Sequence, residues 1–125
     1  MISGRVSLYH EAIVPLRIRG PQGQELSIDT VVDTGFNGYL TVPPEVISAL
    51  GLPFRRNARA VLGDGSTITF DIHEAAVLWG GRLLRISVDA ADTTPLLGMS
   101  LLYGHELNVQ VIEGGDVSIR PLSVT

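Results

Sequence analysis

Val31-Val32-Asp33-Thr34-Gly35-Phe36-Asn37-Gly38-Tyr39-Leu40-Thr41-Val42-Pro43 is the stretch from which the rest of the chain can be read. It closes an apolar run that starts at Ile28 and is broken only by Asp29 and Thr30. A carboxylate at the end of a buried strand needs hydrogen-bond donors, or it takes up a proton instead of ionising. That is the property an acid–base carboxylate requires. Asn37-Gly38 reads as a tight turn in which both residues tolerate positive φ. Tyr39 to Val42 reads as a short strand.

Upstream, Ala12 to Arg19 alternates clearly, with Val14, Leu16 and Ile18 opposed to Pro15, Arg17 and Arg19. This is a strand with one buried face, and Pro15 points to an edge or a bulge. Gly20-Pro21-Gln22-Gly23 is a turn, so residues 12–32 form a hairpin that delivers Asp33. Gly4 to Tyr9 alternates weakly, placing Val6 and Leu8 on one face.

Downstream, residues 44–51 read as a short helix, with proline in its first turn, Glu45 at its positive end and Gly51 as terminator. Strands over 57–62 and 66–77 flank Gly63-Asp64-Gly65, a strong hairpin signal. Trp79-Gly80-Gly81 is the next turn, with Trp79 a packed or partly exposed turn aromatic, and 82–88 the next strand. Residues 90–95 are a loop, Leu96-Leu97-Gly98 a short apolar strand closed by glycine, and 99–103 the start of a short helix. Residues 106–112 and 116–122 form a last hairpin around Glu113-Gly114-Gly115. The expected fold is all-β: a small closed barrel with two short helices.

The chain has 125 residues, 45% of them hydrophobic and 18% charged, which suits one globular domain spanning 1–125. Its apolar stretches are too short to span a membrane, and Met1-Ile2-Ser3-Gly4-Arg5 lacks signal-peptide architecture, so a cytoplasmic protein is expected. There is no cysteine, which excludes thiol catalysis, disulfides and thiolate metal sites. The net charge of −4 argues against nucleic acid as a partner. All nine basic residues are arginines, which excludes a phosphate-loop, Schiff-base or Ser-Lys lysine. Arg55, Arg56 and Arg59 form the only cluster along the sequence and read as a solvated face, with peptide or anion contact the alternative.

Three elements follow one another: apolar-apolar-Asp-Thr-Gly at 31–35, the glycine-tipped hairpin at 61–68, and apolar-apolar-Gly at 96–98 leading into a helix. Their order resembles the retropepsin-like aspartic proteases, retroviral proteases and their bacterial relatives, over roughly residues 5–121. The resemblance implies an acid-protease β-barrel and an aspartic endopeptidase that needs no cofactor or metal. This chain carries one Asp-Thr-Gly, whereas two-lobed pepsin-like enzymes carry two such motifs. The resemblance therefore implies a homodimer acting on a peptide or protein substrate, with one Asp33 from each copy. Such a pair shares a proton: the ionised member activates water and the protonated member donates to the scissile carbonyl oxygen. Its pKa values belong to the pair.

By the same resemblance, Thr34 orients the motif through hydrogen bonds across the dimer, and Gly35 lets backbone pass close to the carboxylates. Residues 61–68, with Leu62, Gly63, Asp64, Gly65 and Ser66 at the tip, form a flap over the substrate. Leu96, Leu97 and Gly98 pack behind the catalytic loop, and the terminal strands form the dimer seam. Phe36 stands where many relatives carry serine or alanine and cannot hydrogen-bond a carboxylate, so a pH optimum nearer neutrality than pepsin's is expected. Met99 stands where retroviral enzymes carry an arginine that ties the subunits together, so a weak or substrate-induced dimer is compatible with the sequence.

Other readings compete. Asp33 can be a turn aspartate that caps its own backbone, and the chain can be an idle module of the same fold that dimerises or binds peptides. Asp64 reads as a hairpin-tip residue, and Asp29, Asp71, Asp89 and Asp92 as surface or turn residues, because none precedes Thr/Ser-Gly. His10, His73 and His105 each precede a glutamate but lack His-Glu-x-x-His spacing, which disfavours a zinc site. No Gly-x-Ser-x-Gly elbow is present.

Overall fold

The structure is a computed structural model that describes residues 1–123. In chain order the elements are β1 (Ile2–Val6), β2 (Ala12–Arg19), β3 (Glu25–Val32), β4 (Leu40–Val42), α1 (Pro44–Leu50), β5 (Phe54–Val61), β6 (Thr67–Trp79), β7 (Arg82–Ala90), β8 (Leu96–Leu97), α2 (Met99–Leu102), β9 (His105–Val109) and β10 (Asp116–Pro121). The strands form one sheet in the order β5-β6-β7-β4-β8-β3-β2-β1-β10-β9. An additional pairing joins β6 to β2, through Arg17–Leu78, Ile18–Val77 and Arg19–Ala76. That pairing closes β6-β7-β4-β8-β3-β2 into a ring of six strands. The protein is therefore mainly β and built on a closed barrel, with β5 and the β1-β10-β9 layer extending from it.

The barrel fills itself. Val14, Leu16 and Ile18 of β2 alternate inward and meet Val77 of β6, Val88 of β7, Leu40 and Val42 of β4 and Leu97 of β8, all buried. Full burial of each such side chain contributes about 1.5–3 kcal/mol. Leu50 of α1, Leu101 and Leu102 of α2, and Val117 and Ile119 of β10 extend the same core. Thr30 is fully buried on β3, and its hydroxyl donates to the Val14 carbonyl at 2.7 Å. Pro15 lies between the segments of β2 that pair with β1 and with β6, so one side of β2 is open where the N–H is missing.

Several boundaries differ from the sequence reading. β6 runs on to Trp79, which is buried and packs edge-on against His105 with ring centroids 5.6 Å apart, so this aromatic belongs to the core rather than to the turn. Gly80 and Gly81, both at positive φ, then make the two-residue hairpin alone. β1 ends at Val6, and Leu8 is exposed in the following turn instead of sharing a face with Val6. β9 stops at Val109; Val111 and Ile112 are exposed in a turn closed by the Gln110 N–H on the Asp116 carbonyl. β5 begins at Phe54, ahead of the expected Asn57, and bulges at Phe54/Arg56.

β1 is hydrogen-bonded on both sides, to β2 and to β10, and β10 lies between β1 and β9. The open edge of this layer is β9. A seam between copies made from the terminal strands has available that edge, the strand faces, or the short stretch of β1 at Ile2 and Ser3 that β2 does not pair with.

Candidate active site

Asp33 follows the last residue of β3 and is half-buried. Its position is fixed by backbone on both sides. The β8 segment runs parallel to β3, with Val31 beside Leu96 and Val32 beside Leu97. The Val31 N–H donates to the Pro95 carbonyl at 2.8 Å, and the Asp33 N–H to the Leu97 carbonyl at 2.9 Å. The chain then turns: the Phe36 N–H donates to the Asp33 carbonyl, and the Gly35 N–H to Asp33 Oδ1 at 2.9 Å. The carboxylate thus receives one backbone donor from its own loop. Its other oxygen has no hydrogen bond or ion pair among the described residues.

Thr34 and Gly35 are exposed beside it. The Thr34 hydroxyl has no hydrogen bond among the described residues, whereas Thr30, four positions earlier, bonds within the chain.

Leu96, Leu97 and Gly98 lie directly against the Asp33 loop. The Gly98 N–H donates to the Tyr39 carbonyl at 3.0 Å, the Met99 N–H to the Phe36 carbonyl at 2.8 Å, and the Ser100 N–H to the Gly38 carbonyl at 3.1 Å. The Ser100 hydroxyl adds a bond to the Asn37 carbonyl at 2.5 Å. The start of α2 therefore secures the loop through four consecutive residues, Phe36 to Tyr39.

Close approach is what the glycines provide here. A Cβ on Gly98 would lie 2.2 Å from the Gly38 carbonyl oxygen and 2.6 Å from the Phe36 ring. One on Gly38 would lie 2.6 Å from the same ring. Neither glycine has positive φ, which corrects the reading of Asn37-Gly38 as a positive-φ turn. Phe36 fills the space that the two glycines leave, and Ser100 fastens the loop. The sequence reading missed both roles. Gly38 and Gly98 flanking a lone aromatic is the signal for the first.

The 61–68 hairpin projects from the barrel. β5 pairs only with β6, and residues 67–71 of β6 pair only with β5, since pairing with β7 begins at Ile72–Asp89. Residues 61–69 are all exposed. The tip closes on itself: the Leu62 N–H donates to the Ser66 carbonyl, the Gly65 N–H to the Leu62 carbonyl, and the Ser66 N–H and hydroxyl to Asp64 Oδ1. Those bonds from Ser66 hold the Asp64 carboxyl below its usual range. Gly65 takes φ +85°, and Gly63 has open space around it. No hydrogen bond joins the tip to Asp33 among the described residues.

A cavity of about 720 Å³ lies elsewhere, against the β2-β1-β10-β9 layer between Arg5, Asp29 and Asn108. It does not touch the Asp33 loop. The charged residues lining it, Arg5, Asp29 and Asp116, are all exposed, whereas the Asp33 loop presents a half-buried carboxylate. The histidines lie apart: His73 and His105 each donate through Nδ1 to a backbone carbonyl, of Leu52 and Tyr103. Among the described residues no group of three or more His, Asp or Glu side chains could hold a metal ion. No helix is long and apolar enough to cross a membrane.

A six-strand barrel, an Asp-Thr-Gly loop braced by a parallel Leu-Leu-Gly segment, and a projecting glycine-tipped hairpin together define the retropepsin-like fold of the aspartic proteases. Among the solved structures that share it are two proteases. One is a retropepsin-like aspartic protease from Rickettsia conorii, at 15% sequence identity and a TM-score of 0.58, covering 98% of this chain and 91% of that one. The other is EIAV protease, solved in complex with the inhibitor HBY-793, at 16% identity and a TM-score of 0.57, covering 76% and 88%. At these identities the likeness is one of fold. No protein-family model and no curated protein matches the sequence.

Proposed function

We propose that the protein is an aspartic endopeptidase whose active site forms between two copies, each contributing Asp33. One observation carries this reading above the others: Asp33 is held by main-chain bonds from β8 and from its own loop, yet its carboxylate is only half-buried and has one bonded oxygen. The Gly35 N–H on Oδ1 is the bond a turn-capping aspartate also makes; what a cap alone does not require is a parallel segment, β8, bonded beside the loop. A second carboxylate brought against it supplies the missing half, and the two share one proton. The charged member accepts a proton from water as the water attacks the peptide carbonyl carbon. The neutral member gives its proton to the carbonyl oxygen, and the tetrahedral intermediate then expels the amine.

In this reading Thr34, with its free hydroxyl, meets the partner's loop, and Gly35 admits it. The hairpin from Leu62 to Ser66 closes over the peptide. Leu96, Leu97 and Gly98 hold the loop from behind. The projecting ribbon and the bonds from β8 support these assignments.

The test is cleavage of a peptide library by the wild type and by Asp33→Asn, with sedimentation in the presence of a bound peptide. The proposal expects cleavage only by the wild type, and a dimer when peptide is bound. Equal cleavage by both would remove Asp33 from the chemistry. A chain that stays monomeric with peptide bound would eliminate the shared pair, and the absence of cleavage by either would favour a peptide-binding module.

A further inference from the structure

The outer face of the barrel carries a set of arginines that the sequence does not reveal. The register places Arg19 of β2, Ala76 of β6 and Arg85 of β7 in one row across three strands. The two arginine backbones are therefore about 10 Å apart, with a small residue between them as floor. A cavity of about 280 Å³ lies there, walled by Arg19, Arg85 and Glu74 over Pro21 and Pro53. A second, of about 190 Å³, shares Glu74 and Arg85 with the first and adds Arg55 and Tyr39. A third, of about 270 Å³, shares Tyr39 with the second and reaches Met99, Ser100 and Tyr103 beside the catalytic loop. The three lie in sequence along one surface, cationic at one end and aromatic at the other.

The charges are incompletely matched within the chain. Arg55 is bonded to Glu74 at 3.0 Å, and this bond holds the Glu74 carboxyl below its usual range. Arg85, with 85% of its side chain exposed, reaches Glu74 only at 4.0 Å. Arg19 pairs with Glu25 at 3.0 Å. Arg55 and Arg85 thus share the single carboxylate of Glu74, and Arg19, paired with Glu25, stands on the other wall of the first cavity, in a chain whose net charge is −4. At the other end Tyr39, Met99 and Tyr103 are 41%, 44% and 88% exposed.

We propose that this groove is a docking surface for an extended acidic peptide segment, its carboxylates on Arg85, Arg19 and Arg55 and an apolar residue against Tyr39 and Met99. The spacing fits a polyproline II segment, which rises about 3.1 Å per residue with three residues per turn, so carboxylates three positions apart share one face about 9 Å apart, close to the Arg19–Arg85 separation. A polyanion such as nucleic acid fits poorly, because Glu74 sits between the arginines and the molecule as a whole is negative. A guanidinium receives a carboxylate through two parallel N–H donors, which suits isolated acidic side chains. The surface does not depend on cleavage at Asp33.

The experiment uses the full chain carrying Asp33→Asn, so that any peptide stays uncut. Fluorescence anisotropy is followed with a labelled heptapeptide of sequence Asp-Glu-Ala-Asp-Glu-Phe-Leu. Saturable binding is expected that weakens as salt rises from about 0.05 to about 0.5 M. Arg85→Glu is expected to weaken it about fivefold or more, and Tyr103→Ser about twofold to threefold. Both positions are solvent-facing, and unchanged thermal unfolding shows that each variant folds. Equal binding of a peptide with lysines in place of the acidic residues overturns the proposal. So does wild-type affinity in Arg85→Glu, displacement by inorganic phosphate alone, or tighter binding of single-stranded oligothymidylate.

Discussion

Gly98→Ala is the sharpest test of how the Asp33 loop is held. Gly98 has φ −101° and ψ 177°, which any residue adopts, so the substitution adds no backbone strain of its own. Its effect is steric. The new methyl would sit 2.2 Å from the Gly38 carbonyl oxygen, 2.6 Å from Phe36 Cδ2 and 2.9 Å from the Phe36 carbonyl oxygen. Two of these atoms are backbone, so a rotamer change cannot relieve the overlap. Moving α2 away by an ångström would stretch the bonds from Gly98, Met99 and Ser100 to Tyr39, Phe36 and Gly38. Each such bond contributes about 0.5–1.5 kcal/mol, and overpacking typically costs about 1–3 kcal/mol. A loss of about 2–4 kcal/mol follows, equivalent to a fall in Tm of about 8–15 °C for a chain of this size. Urea unfolding and calorimetry read it directly. Gly63→Ala, with nothing within 4 Å of the added Cβ, is the matched control and should stay within about 0.5 kcal/mol. Adding Phe36→Ala to Gly98→Ala should recover only part of the loss, because the clash with the Gly38 carbonyl remains. Stability of Gly98→Ala within about 0.5 kcal/mol of wild type would refute the packing argument.

Three further outcomes follow. Burial raises the Asp89 carboxyl above its ordinary pKa, against the opposing pull of Arg56. The fold therefore favours the neutral acid, a contribution present below the unfolded pKa and lost as pH rises through the folded one; Asp89→Asn should stabilise at pH 7 and lose that advantage in acid, read by unfolding across pH. Thr30→Val should cost about 1–2 kcal/mol in urea unfolding, because it removes the only hydroxyl bond buried on β3 among the described residues. Gly65→Ala places a side chain at φ +85° and should cost about 1–2 kcal/mol in thermal unfolding, whereas Gly63→Ala two positions away should not.

The parts of the fold legible in the sequence are those set by local rules. Alternation over 12–19 gives β2 to the residue, because one face of that strand is buried. Pro44, Glu45 and Gly51 mark α1 because its caps are written in residue types. Strand ends were less legible where apolar residues continue past the last pairing partner: Val111 and Ile112 look like strand and are exposed in a turn. The arginine row was invisible, since Arg19 and Arg85 become neighbours only when β6 closes the barrel against β2. Gly38 was misread for a related reason. A glycine that makes room for Phe36 and the Gly98 segment looks the same in sequence as one that takes positive φ.

The strand order also bears on how two copies could meet. β2 pairs with β1 only at Arg5 and Val6, so β1 keeps a short open edge at Ile2 and Ser3, whereas β10 is flanked by β1 over 116–119 and by β9 over 117–121. A shared active site can therefore be assembled by the Asp33 loops, by strand faces, by the β9 edge, or by the short β1 edge. The first involves Thr34, whose hydroxyl is exposed and unbonded among the described residues. Loss of that hydroxyl should then act on assembly more than on the fold. Thr34→Val should leave the unfolding free energy of the monomer within about 0.5 kcal/mol of wild type and weaken peptide-bound dimerisation by about fivefold, one hydrogen bond per copy. Thr34→Ser, which keeps the donor, should restore it. Sedimentation of all three proteins decides the matter: if Thr34→Val dimerises as wild type does, the loops are not the seam and the β9 edge becomes the next candidate.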